Sequence, residues 1–498
     1  MNGFRCALVG EGLLLVQCGE LLLAKGHRIE LIATAHPQAL SWAQAHGIST
    51  TVFDGLGVAL EDAPIDWLFS IVNLQLLPAD ILSKPRYGAI NFHDAVLPDQ
   101  AGLNTPAWAI LEGREHHGVT WHGITEEIDE GPIYARRTFR IDSDETALTL
   151  NSKCFAAGIE SFGDVLDRIS SGGRPQDQAS RPHRLYKRSD RPAAAATLDF
   201  SQPESHLDRL VRALDFGEAY VNPLATPKIR HGAGVFRVQT LRVSTEGTRA
   251  EPGTVLAVEG ETVTIATADN PVSVRATGRV EGRLVSLASR VRIGERLPSL
   301  TLQETDALTA AVAAASRFEA GFVAALTQAT DLALPEIAED QPEAEPLVET
   351  VPLPACDALD RAERVALICA FLARLSEQKV FDLAYSQETL ADLNAAWPGY
   401  FSSFTPLRVD LTHFTSPRQF IAATREKLDK LDRQPGFLAD LPDRYPSVRK
   451  QPFTIGILDT QAANLIPGCA MALHIGAREC RVIYDRRRID PAHAAKIA

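Results

Sequence analysis

The stretch CALVGEGLLLVQCGELLLAKGHRIELIA, Cys6 to Ala33, decides the fold. Cys6 to Gly10 is a short apolar run closed by glycine, the length of a buried strand. Leu13 to Lys25 is long enough for a helix, and Gly26 stops it. Arg28 to Ala33 is a second strand. The same punctuation continues outward. Ser41 to His46 reads as a helix ended by Gly47, Trp67 to Val72 as a third strand and Tyr87 to Phe92 as a fourth. Strands separated by helices predict an α/β fold, a parallel sheet with helices on both faces. Ligands of such sheets bind at the carboxyl ends of the strands.

Beyond residue 200 the pattern changes. His206 to Ala213 is a short helix. Val235 to Val243, Gly253 to Val258, Thr262 to Thr267 and Val272 to Arg275 are β-rich runs between Gly and Pro turns, which predict a small barrel or meander. Ala307 to Thr330 is Ala-rich and helical in pattern. Asp331 to Glu349 holds seven acidic residues, no basic one and several prolines, the composition of a solvated linker. Asp357 to Ser376 and Ser416 to Leu431 read as helices; Pro406 to Asp410, Phe453 to Leu458 and Glu479 to Tyr484 read as strands. The segment from Asp490 reads as a helix start without a C-terminal cap, so the chain is expected to continue.

The 498 residues suggest two to four domains, and the 45% hydrophobic content is that of globular protein. The most apolar stretch, Cys6 to Ala24, is broken by Glu11, Gln17 and Glu20, so no membrane span is expected. The N-terminus lacks the apolar core of a secretion signal. A formal charge of −13 is a poor match to nucleic acid, which is gripped by basic surfaces. Seven scattered cysteines without a Cys-x-x-Cys pair suggest neither a zinc site nor a disulfide framework. A cytoplasmic protein without a metal is the expectation.

Two places carry candidate chemistry. Gly10-Glu-Gly12 follows a strand and opens a helix, but the third glycine of a dinucleotide fingerprint is replaced by Leu15. An NAD-dependent enzyme would have to bind there. The stronger cluster is Ile90-Asn-Phe-His-Asp-Ala-Val-Leu-Pro98, then Gly102, Pro106 and Trp108, then Gly118-Val-Thr-Trp-His-Gly-Ile-Thr-Glu-Glu-Ile-Asp-Glu-Gly131. Asn91 and His93 are two apart at a strand end and point to the same side. Asn91 offers an N–H to a developing oxyanion. His93 can take a proton or stabilise charge. Asp129, in an acidic loop ending at Gly131, can orient His93 and take a proton from an attacking amine. Each residue alone has a plainer reading, a rim histidine or a turn aspartate; their joint spacing is what points to catalysis.

On these residues the first 310 or so positions resemble the folate-dependent formyltransferases, the group that includes methionyl-tRNA formyltransferase and amino-sugar N-formyltransferases. Ile90 to Pro98 is similar to that family's Asn-x-His-x-Ser-Leu-Leu-Pro signature, and Asn91, His93 and Asp129 match its catalytic trio. Asn73-Leu-Gln-Leu-Leu-Pro78 resembles the segment whose backbone holds the pterin of 10-formyltetrahydrofolate, which implies cofactor contacts at Asn73, Gln75, Leu76 and Leu77. By the same resemblance the loop Ile124, Thr125, Glu126, Glu127 closes over that pterin. Gly12, Leu13 and His122 are the implied substrate-side residues; His122 has the equal alternative of being a plain sheet residue. The family's serine is Ala95 here, and the residues after Pro98 lack the basic loop of the tRNA enzymes. They look more like the formylation domains of nonribosomal peptide synthetases.

The remainder resembles the C-terminal half of a synthetase condensation domain, through Phe404-Thr-Pro-Leu-Arg-Val-Asp-Leu411, the helix Ser416 to Leu431 and Gln451-Pro-Phe-Thr-Ile-Gly-Ile457. The His-His-x-x-x-Asp-Gly signature of that family is absent; His116-His117 lies in the other part and lacks the Asp-Gly. The resemblances imply a Rossmann-like catalytic domain over 1–200, a small OB-like β-barrel over 201–310, a helix and acidic linker over 311–356 and an α+β half condensation domain over 357–498. They imply transfer of a formyl group from 10-formyltetrahydrofolate to a small-molecule amine or a carrier-bound amino acid, with adenylation and carrier domains downstream. A nucleotide-linked amino-sugar formyltransferase is the alternative acceptor reading. A non-catalytic scaffold is the alternative of another class.

Overall fold

A computed structural model describes residues 3–179, 184–232, 234–245, 247–280, 283–334, 337–338, 346–353, 359–450, 453–476 and 480–498. The chain divides into two compact units, residues 1–188 and 189–498. Among the described residues no single helix is long and apolar enough to cross a membrane.

The first unit is built on seven strands: β1 (Arg5–Gly10), β2 (Arg28–Ala33), β3 (Ser49–Thr51), β4 (Trp67–Ile71), β5 (Gly88–His93), β7 (His116–Gly123) and β8 (Ile133–Arg140), in the order β3-β2-β1-β4-β5-β7-β8. A two-residue pair, β6 (Ala101–Gly102) and β9 (Leu185–Tyr186), lies apart from it. Neighbours from β3 through β5 run parallel, whereas β7 is antiparallel to β5 and β8 to β7. The expected parallel sheet is found from β3 through β5, and β7 and β8 extend it as antiparallel strands. The segment of β7 carries the first part of the second motif block and lies in the sheet as a strand. Seven of its eight residues are buried, so it forms an interior strand.

Six helices flank this sheet: α1 (Gly12–Ala24), α2 (Pro37–Ala45), α3 (Leu56–Ala59), α4 (Ala79–Leu82), α5 (Thr105–Leu111) and α6 (Ala147–Ser170). Alternation along β1 explains the two layers. Cys6 and Leu8 pack with residues of α1, α2 and α6 on one face; Ala7 and Val9 pack with residues of α3 and α4 on the other. Helix α6 starts at a capping box in which Thr146 Oγ1 accepts from Thr149 N at 3.2 Å. Its Gly158 accommodates the Phe92 ring, since a Cβ there would lie 2.6 Å from that ring. With Ile90 and Phe92 committed to the α1–α6 layer, Asn91 and His93 face away from it.

The second unit carries two sheets. One contains the strands Lys228–His231, Gly234–Val243, Val255–Glu259, Thr262–Ile265, Val272–Val280 and Arg283–Ser286, all paired antiparallel, with Val272–Val280 central. The other is a mixed six-stranded sheet made of Val348–Pro352, Val380–Gln387, Thr405–Asp410, Ile455–Asp459, Met471–Ile475 and Cys480–Asp485.

The single helix expected over Ala307 to Thr330 is two helices, Leu302–Ser316 and Glu319–Thr327, bent by 56° at the break. The linker expected over Asp331 to Glu349 is also corrected where it is described. Leu332 and Leu334 are buried in the core of the second sheet, and Val348–Pro352 pairs as a strand with Cys480–Asp485. The acidic count masked these apolar side chains; residues 335–336 and 339–345 lie outside the described set. The helix expected from Asp357 begins at Arg361, where Asp360 caps it, and Asp357 itself is outside the described residues. So are Gln451, Pro452 and Glu479.

A buried ionic network joins parts of this second unit. Asp440 accepts from Lys228 Nζ at 2.6 Å, Arg444 Nε at 2.8 Å and Thr226 N at 2.9 Å. Arg444 Nη1 also donates to Glu319 Oε1 at 3.0 Å. All four charged residues are buried. The opposing charges hold the Asp440 carboxyl ionised although burial alone would raise its pKa.

Candidate active site

The antiparallel register of β5 and β7 sets the site. Asn91 lies opposite His122, and His93 opposite Thr120. Directly opposed residues share a face, so an amide and two imidazoles gather on one side of the sheet. The ring centroids of His93 and His122 are 6.2 Å apart. Asp129 enters from the β7–β8 loop with φ +57. That left-handed conformation is one aspartate tolerates better than most residues.

Hydrogen-bond polarity assigns the protons. His93 Nε2 lies 2.9 Å from the Gln100 carbonyl, which only accepts, so Nε2 carries hydrogen. Its Nδ1 therefore holds the lone pair in the neutral ring, and faces Asp129 Oδ2 at 3.8 Å and Asp94 Oδ1 at 3.9 Å. His122 Nδ1 lies 2.9 Å from its neighbour's carbonyl, Gly123 O, so that nitrogen is the protonated one. His122 Nε2 then faces Asn91 Nδ2 at 3.3 Å and Asp129 Oδ1 at 3.4 Å. Asp129 Oδ2 accepts from Gly102 N at 2.8 Å. Burial would raise the Asp129 carboxyl. Positive charge on the His93 and His122 rings when they carry a second proton, with the Gly102 N–H, outweighs burial and holds it well below the usual carboxylate range.

The three residues expected to be catalytic are thus brought together, with His122 touching two of them. His93 and His122 are buried, 5% and 3% exposed, while Asn91 is only half-buried. Ala95, in place of the family's serine, is buried; the Ala95 carbonyl accepts from Thr120 Oγ1 at 2.7 Å and that hydroxyl accepts from Leu97 N at 3.1 Å. The Leu97–Pro98 peptide is cis.

The expected cofactor residues fall on two loops. Asn73 is spent on its own loop, donating to Gln75 O at 2.8 Å and accepting from Gln75 N at 3.1 Å. Gln75's backbone is therefore occupied. Leu76 is 79% exposed and Leu77 packs on an apolar cluster of the sheet. Ile124 packs against that same cluster. Thr125, Glu126 and Glu127 are exposed. Gly12 (φ +82) and Leu13, 54% exposed, open α1 at the carboxyl end of β1. At the same end, Glu11 binds Thr34 Oγ1 at 3.1 Å and Ala35 N at 2.9 Å. Leu15, the position a dinucleotide fingerprint gives to glycine, is a fully buried core residue.

Three contributors, Gln100, Tyr186 and Gln178, and the role of Gly102 escape the sequence reading. The Gln100 carbonyl and the Gly102 N–H, which hold His93 and Asp129, are backbone groups and leave no side-chain signature. Tyr186 accepts from Gln100 Nε2 at 3.1 Å and stacks on Trp108 at 5.0 Å. Gln178 donates to Asp129 O at 2.7 Å and Gly131 O at 2.8 Å from a segment without any motif. Only Gly102 had a readable signal, as a glycine between the two motif blocks. Among the described residues no group of three or more His, Cys, Asp or Glu is placed to hold a metal ion.

Residues 59–166 match the formyl transferase family and residues 192–290 its C-terminal domain. Methionyl-tRNA formyltransferase of Phenylobacterium zucineum is 34% identical over 140 residues, 28% of this chain and 45% of that protein. The enzyme of the same name from Clostridioides difficile is 27% identical over 196 residues, 39% of this chain and 61% of that protein. The chain therefore spans about half the length of these curated relatives. The crystal structure of an N-formyltransferase from Helicobacter canadensis, in complex with folinic acid and dTDP-3-aminofucose, is 18% identical with a TM-score of 0.45, covering 55% of this chain and 99% of that one. These two segments are what this chain shares with the formyl transferase family.

Proposed function

We propose that this protein moves the formyl group of 10-formyltetrahydrofolate onto an amine. The observation that carries the reading is the convergence of Asn91, His93 and Asp129, with His93 Nδ1 left as a lone pair facing the carboxylate. The co-substrate supplies an electrophilic formyl carbon and a nitrogen leaving group. The loops after β4 and β7 suit a flat heterocycle: Leu74 and Leu76 are exposed, and among the described residues the N–H groups of Leu76 and Leu77 have no protein acceptor.

The chain's own groups then divide the work. An ammonium has no lone pair, so the acceptor must lose a proton before it attacks. His93 Nδ1 takes that proton, and Asp129 at 3.8 Å stabilises the imidazolium that results. The second hydrogen on Asn91 Nδ2, the one not directed at His122, meets the oxygen on which negative charge develops. The new C–N bond forms as the bond to the folate nitrogen breaks; the proton held on His93 passes to that leaving nitrogen, and the vacated imidazole takes the second proton that the attacking nitrogen must lose and releases it to solvent. The products are a formamide and tetrahydrofolate.

The acceptor we assign is a small-molecule amine or a carrier-bound amino acid. The net charge of −13 disfavours tRNA, and the resemblance of residues 357–498 to half a condensation domain suits a synthetase setting with adenylation and carrier partners. A nucleotide-linked amino sugar is the second reading; the Helicobacter canadensis neighbour was solved with such a ligand. The test is a panel of amino acids, carrier-bound aminoacyl groups, amino sugars and methionyl-tRNA, each incubated with 10-formyltetrahydrofolate and read by mass for one added formyl group. Formylation of a non-tRNA amine supports the reading; formylation of methionyl-tRNA alone overturns the acceptor, and none at all overturns the activity. Asn91→Ala lowers turnover on the order of 10²–10³-fold if its amide is the main oxyanion donor.

A further inference from the structure

We propose that His122 is a positioning residue that sets the donor polarity of the Asn91 amide. The proposal rests on the formyl-transfer reading for its kinetic consequence, and on geometry alone for the proton assignment.

An asparagine side chain is nearly symmetric in shape, and a half-turn about its terminal bond exchanges donor for acceptor. Something must hold it one way if it is to present N–H to an oxyanion. His122 is built for that task. The strand β7 has a register break between Trp121 and His122 where it pairs with β8, and such bulges re-aim side chains near functional sites. The re-aimed ring returns its Nδ1–H to Gly123 O at 2.9 Å. That carbonyl is fixed in turn by Gly131, where a Cβ would lie 1.7 Å from Gly123 O and only glycine fits. With Nδ1–H spent on a carbonyl, the neutral ring can only accept at Nε2.

Two groups approach Nε2. Asp129 Oδ1, at 3.4 Å, is ionised and cannot donate. Asn91 Nδ2, at 3.3 Å, can. The ring therefore selects the orientation in which the Asn91 nitrogen faces it and the amide keeps one hydrogen for the reaction. The reverse orientation would set the Asn91 carbonyl oxygen against the Nε2 lone pair beside a carboxylate, three acceptors with no hydrogen among them. A proton added at Nε2 would turn that acceptor into a donor and reverse this logic, so the neutral Nδ1–H tautomer is the working form.

The experiment uses the full chain, the best amine from the panel and two variants. His122→Phe keeps a flat ring but offers no acceptor; His122→Gln restores one through its amide oxygen. The expected result is a fall in kcat of roughly tenfold or more for His122→Phe, smaller than that for Asn91→Ala, with KM for both substrates unchanged and kcat recovered in His122→Gln. A KM increase at unchanged kcat makes His122 an acceptor contact and overturns the proposal, as does a His122→Phe enzyme with wild-type kcat. Nitrogen-15 NMR of histidine-labelled wild-type protein at pH 8 supplies the readout that needs no activity. Protonated Nδ1 with bare Nε2 on His122 upholds the geometry; the Nε2–H tautomer or an imidazolium overturns it. A wild-type chain that formylates nothing, yet shows the Nδ1–H tautomer, sinks the formyl-transfer reading and leaves the His122 assignment standing.

Discussion

Replacing Gly102 by alanine tests the scaffolding of the site. Gly102 sits at φ +89, and a Cβ there would lie 2.1 Å from the Tyr186 carbonyl oxygen. The left-handed conformation alone costs an alanine about 1–2 kcal/mol. The overlap is with backbone, so β6 and β9 must separate. That weakens Ala101 N to Arg184 O (2.8 Å) and Leu103 N to Tyr186 O (3.0 Å), each worth about 0.5–1.5 kcal/mol. The sum is a destabilisation of about 2–5 kcal/mol. Function suffers separately, because the same stretch holds Asp129 through Gly102 N and His93 through Gln100 O. Turnover falls on the order of ten- to a hundredfold if those two groups drift. Urea unfolding followed by tryptophan fluorescence reads the stability. Trp42, Trp67, Trp108 and Trp121 lie in the first unit and only Trp397 in the second, so the signal reports the right transition. Gly163→Ala in α6, where a Cβ meets nothing within 4 Å, is the control; it gains about 0.5–1 kcal/mol. A Gly102→Ala protein within about 0.5 kcal/mol of wild type and equally active refutes the claim that this pair of strands holds the site.

Two further predictions concern charge. His117 is buried with its Nε2 unpartnered, and burial lowers its pKa from 6.5 to about 4. The unfolded chain therefore binds the proton first as pH falls. Its contribution is fully present above pH 6.5 and is lost between pH 6.5 and 4, reaching about 3 kcal/mol. Urea titrations at stepped pH check this, and an identical pH slope in His117→Phe rules it out. In the second unit, Asp440→Ala strands the buried Lys228 charge and leaves Arg444 with Glu319 as its carboxylate partner, and costs about 3–5 kcal/mol. A loss under about 1 kcal/mol in the Trp397 transition would show the network to be better hydrated than its burial indicates.

Much of the fold was legible where local rules act alone. Cys6–Gly10, Arg28–Ala33 and Trp67–Ile71 form the strands their apolar runs predict, because short β-rich runs between glycines have few other uses. The reading failed where composition and packing conflict. The acidic count of Asp331 to Glu349 suggested a tether, yet Leu332, Leu334 and the alternation of Val348–Pro352 seat its described parts on a core. The Ala-rich segment after Leu302 broke into two helices at Arg317 and Phe318, a bend that helix propensity does not mark.

By itself the sequence determined the parallel strands β1, β2, β4 and β5 and the shared face of Asn91 and His93, since strand-end spacing of two places residues on one face regardless of what packs around them. Tertiary structure alone decided the proton positions. The antiparallel pairing of β7 sets His122 against Asn91, the bulge turns its ring, and the carbonyls of Gln100 and Gly123 choose which nitrogen of each imidazole is bare. Those choices depend on backbone groups brought close by folding, and backbone groups are the same at every position of a chain.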